Sequence, residues 1–181
     1  VIETERLTLR PWIEADREAF LAIACDPEVN RWLGGPRTRE QADGEFDRMR
    51  VFWAERGQGH LAIARRGDGV VVGRVTCRQQ PPEWGHPHAG LYEVGWMLAR
   101  PAWGHGYATE SAAAMLGWGF ETLDTPEIHA WTAATNRRSQ AVMQRLGMIR
   151  SPKHDFEHPH LAENDPLRPH VVYVAQRPTA Q

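Results

Sequence analysis

The chain has 181 residues, enough for one domain that buries roughly 70% of its unfolded surface. Its 21 Lys and Arg against 23 Asp and Glu leave a net charge of −2, which argues against a basic, nucleic-acid-binding surface. No apolar run approaches the ~20 residues of a membrane span, and two isolated cysteines, Cys25 and Cys77, exclude Cys-x-x-Cys metal or redox chemistry. In chain order, Glu5 to Trp12 alternates around Leu7 and Leu9 and reads as a strand ended by Pro11. Glu14 to Ala24 carries Ala15, Phe20, Ile23 and Ala24 at helical spacing, and Pro27 follows. A second helix is predicted over Thr38 to Glu55, with Phe46, Met49 and Trp53 on one face. His60 to Ala64 and Val70 to Cys77 read as two strands joined through Asp68-Gly69, a hairpin signal. Pro81 to His88 is a Pro/Gly/His loop.

Leu91 to Leu98 is the most apolar strand. The helix predicted over Tyr107 to Phe120 places Ala108, Ala112, Met115, Leu116 and Phe120 on one stripe. Ile128 to Ala134 is a strand, Asn136 to Leu146 a helix stopped by Gly147, Met148 to Arg150 the start of another strand, and Val171 to Ala175 the last. No repeat, linker or low-complexity tract divides the chain, so residues 1–181 read as one domain. Strands dominate the first half and two strand–helix units the second, an α/β layer with helices on a mostly antiparallel sheet. The start, Val1 to Glu5, is neither basic nor apolar and does not read as a signal peptide, and the isolated cysteines fit the cytoplasm.

Trp103-Gly104-His105-Gly106-Tyr107-Ala108-Thr109 lies just before an amphipathic helix. Bare glycine backbone there lets N–H groups turn toward an anion, where the helix dipole favours negative charge. A P-loop would need four residues between its glycines and then Lys-Ser/Thr, and both are missing. A dinucleotide turn would need a third glycine, and Thr109 stands there. Taken alone, the glycines also fit a plain turn.

The run Tyr92-Glu93-Val94-Gly95-Trp96-Met97-Leu98, followed by Arg100 to Glu110, resembles the acetyl-CoA motif of GNAT-superfamily N-acetyltransferases, most closely the RimJ/RimL-like branch that acetylates ribosomal-protein N-termini. The family pattern is Gln/Arg-x-x-Gly-x-Gly/Ala. Gly106 and Ala108 match its small positions, and Trp103 departs from it where Gln or Arg is usual. A second block, Asn136 to Met148, resembles the family's Asn-x-x-Ser-x-x-(apolar)-x-x-x-Leu-Gly-(apolar) segment, and the separation of the blocks fits one helix and one strand. The resemblance implies the GNAT fold, acetyl-CoA as co-substrate without a metal, and acetyl transfer to a primary amine. It implies donor binding by Trp96, Met97 and Leu98, by the turn from Trp103 to Thr109, and by Asn136 and Ser139.

Acetyl transfer needs a neutral amine and a stabilised leaving thiolate. Many members of the family use a tyrosine as the acid; here Ser139, in the first turn of its helix, is the candidate, and a serine that merely bonds the backbone is the plainer reading. Glu93 interrupts an apolar strand, where a carboxylate is expensive unless partnered, so it is the candidate base or else a structural partner of arginine. Alternation sets it on the face of Leu91, Gly95 and Met97. The His-rich segment from Lys153 to His170 reads as a pocket wall, with Asp155 or Glu157 drawing in an amine, or as a solvated loop; its prolines argue against a metal site. A carboxylate of residues 154–160 is the alternative base. The acceptor classes are a protein N-terminus or a small amine such as an aminoglycoside or polyamine, and the assembly admits a homodimer. The rival readings are a non-catalytic acyl-CoA sensor, for which Glu93 and Ser139 would be dispensable, and a nucleotide-binding module.

Overall fold

The computed structural model describes residues 1–82 and 87–178; the middle of the expected Pro81 to His88 loop, residues 83–86, lies outside the described residues. The first strands are β1 (Ile2–Glu3) and β2 (Leu7–Arg10), the latter stopping at Pro11 as its missing N–H requires. A 3-10 turn at Glu14–Asp16 leads into α1 (Arg17–Ala24), and a one-turn α2 (Pro27–Asn30) follows, with Asp26 accepting from the amides of Glu28 and Val29. Helix α3 (Arg39–Arg56) opens on a capping box: Thr38 Oγ1 accepts from the Gln41 amide at 3.2 Å, and the Thr38 amide donates to Gln41 Oε1 at 3.0 Å. Gly57 closes it in the left-handed conformation at φ 63°.

Strands β3 (Gly59–Arg65), β4 (Val71–Gln79) and β5 (Tyr92–Leu98) form an antiparallel meander. Helix α4 (Tyr107–Thr122) then crosses to β6 (Glu127–Ala133), α5 (Arg137–Arg145) follows, and β7 (Ile149–Arg150), β8 (Phe156–Glu157) and β9 (Pro169–Gln176) complete the described chain. The order across the sheet is β1-β2-β3-β4-β5-β6-β9-β7, with β8 also on β9. Only β5 and β6 are parallel among these pairs, as a helical crossover allows. The expected mixed α/β layer is therefore present. The short elements β1, α2 and β8 were not among the sequence expectations.

Each sheet face carries its own apolar layer. On one, α4 lays Ala112, Met115, Leu116 and Phe120 over Val75, Val94, Leu98 and Ile128. On the other, α1 and α3 set Phe20, Leu21, Phe46 and Met49 against Trp12, Ala62 and Met97. Trp12 meets Phe20 and Phe46 edge-on, at 5.2 and 5.7 Å between centroids, a favoured aromatic geometry. Alternation along β5 thus sends Val94 and Leu98 to the α4 side and Met97 to the α1–α3 side.

Close packing fixes where β5 lies. Gly73 on β4 sits opposite Leu98, and a Cβ there would stand 2.3 Å from the Met97 carbonyl oxygen and 2.9 Å from Leu98 Cα. Those atoms are backbone and do not yield by a side-chain rotation. Gly73→Ala is expected to destabilise the fold by about 1–3 kcal/mol, as overpacking does, and to lower Tm in thermal unfolding; an unchanged Tm would contradict the tight β4–β5 contact.

Candidate active site

β5 and β6 pair through one position, Glu93 opposite His129, and then part. The gap between them opens into a cleft of about 1650 Å³, lined by Val94 to Leu98 on one side and Trp131, Thr132, Thr135 and Asn136 on the other. A single small-molecule pocket holds about 300–1,000 Å³, so this cleft has room for two substrates. It lies at the C-terminal ends of two parallel strands, where ligands of α/β sheets collect.

The anion turn forms one wall. Gly104 and Gly106 both adopt left-handed backbone, at φ 81° and 80°, which only glycine takes without strain. Gly106 is the N-cap of α4 and offers no side-chain cap. The amides of Gly104 through Thr109 have no acceptor among the described residues, so the start of α4 presents a row of N–H donors. Trp103, Gly104, Gly106, Tyr107, Ala108 and Thr109 line the cleft; the His105 ring instead stacks on Tyr107, with centroids 5.6 Å apart. Trp103 Nε1 donates to the Leu98 carbonyl at 2.9 Å, and Arg138 lies over its indole at 4.6 Å. Trp96, Met97 and Leu98 line the cleft as well.

Glu93 stands where the strands part, on the face shared with Gly95. Burial pushes its carboxyl up to about 7, against the opposing pull of Arg78, Arg74 and a hydrogen bond from Gln80 Nε2. Gln80 is itself buried and held by two backbone bonds, so it fixes the carboxyl's direction. Gly95 keeps the floor open in front of the carboxyl, since a Cβ there would sit 3.8 Å from Glu93 Oε1.

On α5, Asn136 caps the helix by accepting from the Ser139 amide at 3.3 Å, and its Nδ2 donates to Thr132 Oγ1 at 2.9 Å. Its side chain is buried and both ends are engaged. The Ser139 hydroxyl lines the cleft and has no hydrogen-bond partner among the described residues, which leaves it able to donate to a ligand. Tyr173, on β9, is packed in the core with its hydroxyl 3.5 Å from Gln144 Nε2, outside the cleft.

The His-rich segment does reach the cleft, through His158 and His160. The two carboxylates expected to draw in an amine are turned elsewhere. Asp155 takes Arg150 and the Val172 amide, and Glu157 takes Arg168 at 3.2 Å. Sequence reasoning also passed over His60, Arg74, Thr76 and Arg78, which line the cleft on the Glu93 side. The signal was the alternation Arg74, Thr76, Arg78 through an otherwise apolar strand, read together with the hairpin register that sets His60 opposite Thr76. Burial, with Arg74 and Arg78 nearby, holds the His60 imidazole well below its ordinary pKa and therefore neutral.

Comparison with known proteins identifies this arrangement. Residues 6–149 match the family model described as an acetyltransferase (GNAT) domain. The chain is 26% identical over 149 residues to the uncharacterized N-acetyltransferase YoaA of Bacillus subtilis, covering 81% of each. It superimposes on a crystal structure of an acetyltransferase from Agrobacterium tumefaciens with TM-score 0.76 and 31% identity, over 97% of this chain and 93% of that one. A structure of the ribosomal α-N-protein acetyltransferase RimL with coenzyme A shares the fold at TM-score 0.75 and 16% identity, over 96% and 95% of the two chains. The chain belongs to the GNAT acetyltransferases and is an N-acetyltransferase that uses acetyl-CoA.

Proposed function

We propose that this enzyme transfers the acetyl group to a primary amine by direct attack on the thioester, with Glu93 as general base and Ser139 as hydrogen-bond donor to the leaving sulfur. The observation that carries the reading is the Glu93 carboxyl, raised to about 7 by burial, aimed by Gln80 and set at the opening of the cleft. A base poised near neutral pH divides between the form that accepts a proton and the form that has taken one. It removes the proton of the attacking ammonium, directly or through water. The amine attacks the carbonyl carbon, the C–S bond breaks, and the proton that nitrogen sheds as the amide forms passes to the thiolate, which the Ser139 hydroxyl meets by a hydrogen bond.

The donor is a polyanion with a long amide-bearing arm, and the residues present fit it. The amides of Gly104 to Thr109 suit its pyrophosphate, and the edge of β5 at Trp96, Met97 and Leu98 suits the two amides of the pantetheine arm. Asn136 contributes by holding the start of α5 and with it Ser139. We place the chain in the RimJ/RimL-like branch, supported by Ser139 on α5 and the fold shared with RimL. Residues 1–181 act as one domain, and free Cys25 and Cys77 suit the reducing cytoplasm.

The acceptor is a single amine, at a protein N-terminus or on a small molecule. Arg74 and Arg78 flank Glu93 in the acceptor half of the cleft, so a polyamine or aminoglycoside would set a second ammonium beside a guanidinium. An α-amine, with a pKa of about 7.7–8.0, also needs less help from a base near 7 than a lysine at about 10.4.

Glu93→Gln is expected to lower kcat by about a hundredfold while the affinity for acetyl-CoA holds; a wild-type kcat would remove Glu93 from the mechanism. Wild-type kcat should climb as pH rises through about 7, and the variant should lose that limb. The same substitution should stabilise the fold. The folded pKa of about 7 lies above the ordinary 4.5, so the stability tied to the bound proton is full below 4.5 and is lost as pH rises to 7. The gain in Tm from Glu93→Gln is thus expected to be larger at pH 8 than at pH 5, measured by thermal unfolding at both.

Ser139→Ala should lower kcat by about tenfold with little change in KM for either substrate, and equal rates would reduce Ser139 to a helix-start residue. In an assay of thiol release, peptides with a free α-amine and small monoamines should turn over at least about tenfold faster than spermidine or an aminoglycoside. Preferred turnover of the polycations would overturn the acceptor assignment.

A further inference from the structure

Arg6, in the turn between β1 and β2, reaches across to the glycine turn nearly a hundred positions further along the chain. Its Nη1 donates to the His105 carbonyl at 2.9 Å. Its Nε donates to Glu110 Oε2 at 2.7 Å, and Nη2 lies 2.6 Å from the same oxygen. The Arg6 amide and Thr4 Oγ1 both donate to Glu110 Oε1, at 2.9 and 2.6 Å. The guanidinium also lies 5.0 Å from the centre of the Tyr107 ring, and a Cβ on Gly106 would stand 3.4 Å from Nη2. One planar fork therefore touches the middle of the turn, its left-handed glycine, and the first turn of α4.

The consequence is directional. Two left-handed glycines one residue apart leave a turn free to flip its peptide planes. A carbonyl tied by a guanidinium on the outer side keeps its plane from turning oxygen into the cleft, so the amides stay aimed inward. His105 is the residue between the two glycines, and its carbonyl is the one that Arg6 holds. Glu110 in turn holds the guanidinium by one carboxylate oxygen, Oε2, which meets both Nε and Nη2, two nitrogens in a fixed fork that lysine lacks.

We infer that Arg6, held by Glu110, is a positioning residue that presets the His105 peptide of the turn and thereby the amides that receive the donor's pyrophosphate. Arg6 and Glu110 do not line the cleft. The role rests on the turn being the phosphate site of acetyl-CoA.

The test compares acetyl-CoA with S-acetylpantetheine, which carries the same thioester and arm but lacks the pyrophosphate. The readout is the ratio of kcat/KM for the two donors. Arg6→Ala should reduce that ratio about tenfold, with the pantetheine donor turned over as by wild type. Arg6→Lys should recover part of the ratio, and Glu110→Gln should lower it less than Arg6→Ala does. A general loss of folded enzyme would lower both donors' rates together and leave the ratio unchanged, and an unchanged ratio in all three variants overturns the inference. A wild-type enzyme that does not discriminate between the donors overturns the phosphate assignment of the turn as well.

Discussion

The site depends on two neighbouring strands that pair at one point and then separate. β5 is held along its other edge by seven residue pairs with β4, from Gly73–Leu98 to Gln79–Tyr92. On the β6 side its ladder stops at Glu93 and His129. The backbone groups of residues 94–98 on that edge must then find another partner, since buried N–H and C=O groups do not stay unmatched without cost. The start of α4 adds the amides of Gly104 to Thr109, which have no acceptor among the described residues, at the wall of the same gap. The fold thus brings two stretches of unmatched backbone, the free edge of β5 and the start of α4, to one cleft.

Glu93 occupies the vertex of that gap, and its chemistry follows from the position. Deeper in the sheet it would be a destabilising buried charge; farther out it would be an ordinary surface carboxylate with a pKa near 4.5. At the vertex, burial raises it to about 7 while Arg78, Arg74 and Gln80 stop it from rising further. Arg74 is itself paired with Glu45 of α3. That pair moderates one of the two cations near Glu93 and ties α3 to the sheet face on which Glu93 sits. Reactivity here is set by how much charge the surrounding layer tolerates.

Much of this was readable from the sequence, and the omissions share a cause. The long elements carried a period, and their caps carried a code: Thr38 with Gln41, Asn136 with Ser139, Gly57 and Gly147 at helix ends. Alternation correctly set Glu93 with Gly95 and Met97. β1, β8 and α2 span two to four residues, too few to show any period, and exist because a neighbour pairs with them. The partners of Asp155 and Glu157 were equally invisible. Each finds an arginine close in sequence, Arg150 and Arg168, but only the pairing of β7 and β8 on β9 brings them together. Gln80 behind Glu93 and Arg6 behind His105 are contacts between separate turns, which local pattern does not encode.

Several of the described histidines serve as packing material. His88, His129, Trp131, His154 and Phe156 form one patch of ring contacts beside the cleft: His88 stacks on Trp131 at 5.1 Å and 18° and meets Phe156 edge-on at 5.0 Å. His88 and His129 are almost wholly buried, and no group of three or more potential metal ligands occurs among the described residues. Burial lowers the pKa of His88, His158 and His170, with neighbouring imidazoles adding to the effect at His88 and His158. An imidazole kept neutral is a flat, half-polar ring that packs like a small aromatic and still satisfies a carbonyl, as His88 Nε2 does with His154 at 3.0 Å. The same neutrality bears on the acceptor. His158 lines the cleft, and as a neutral ring it does not repel an incoming ammonium. On that wall a neutral His158 offers shape and a ring face, and the titratable carboxyl of the cleft is Glu93.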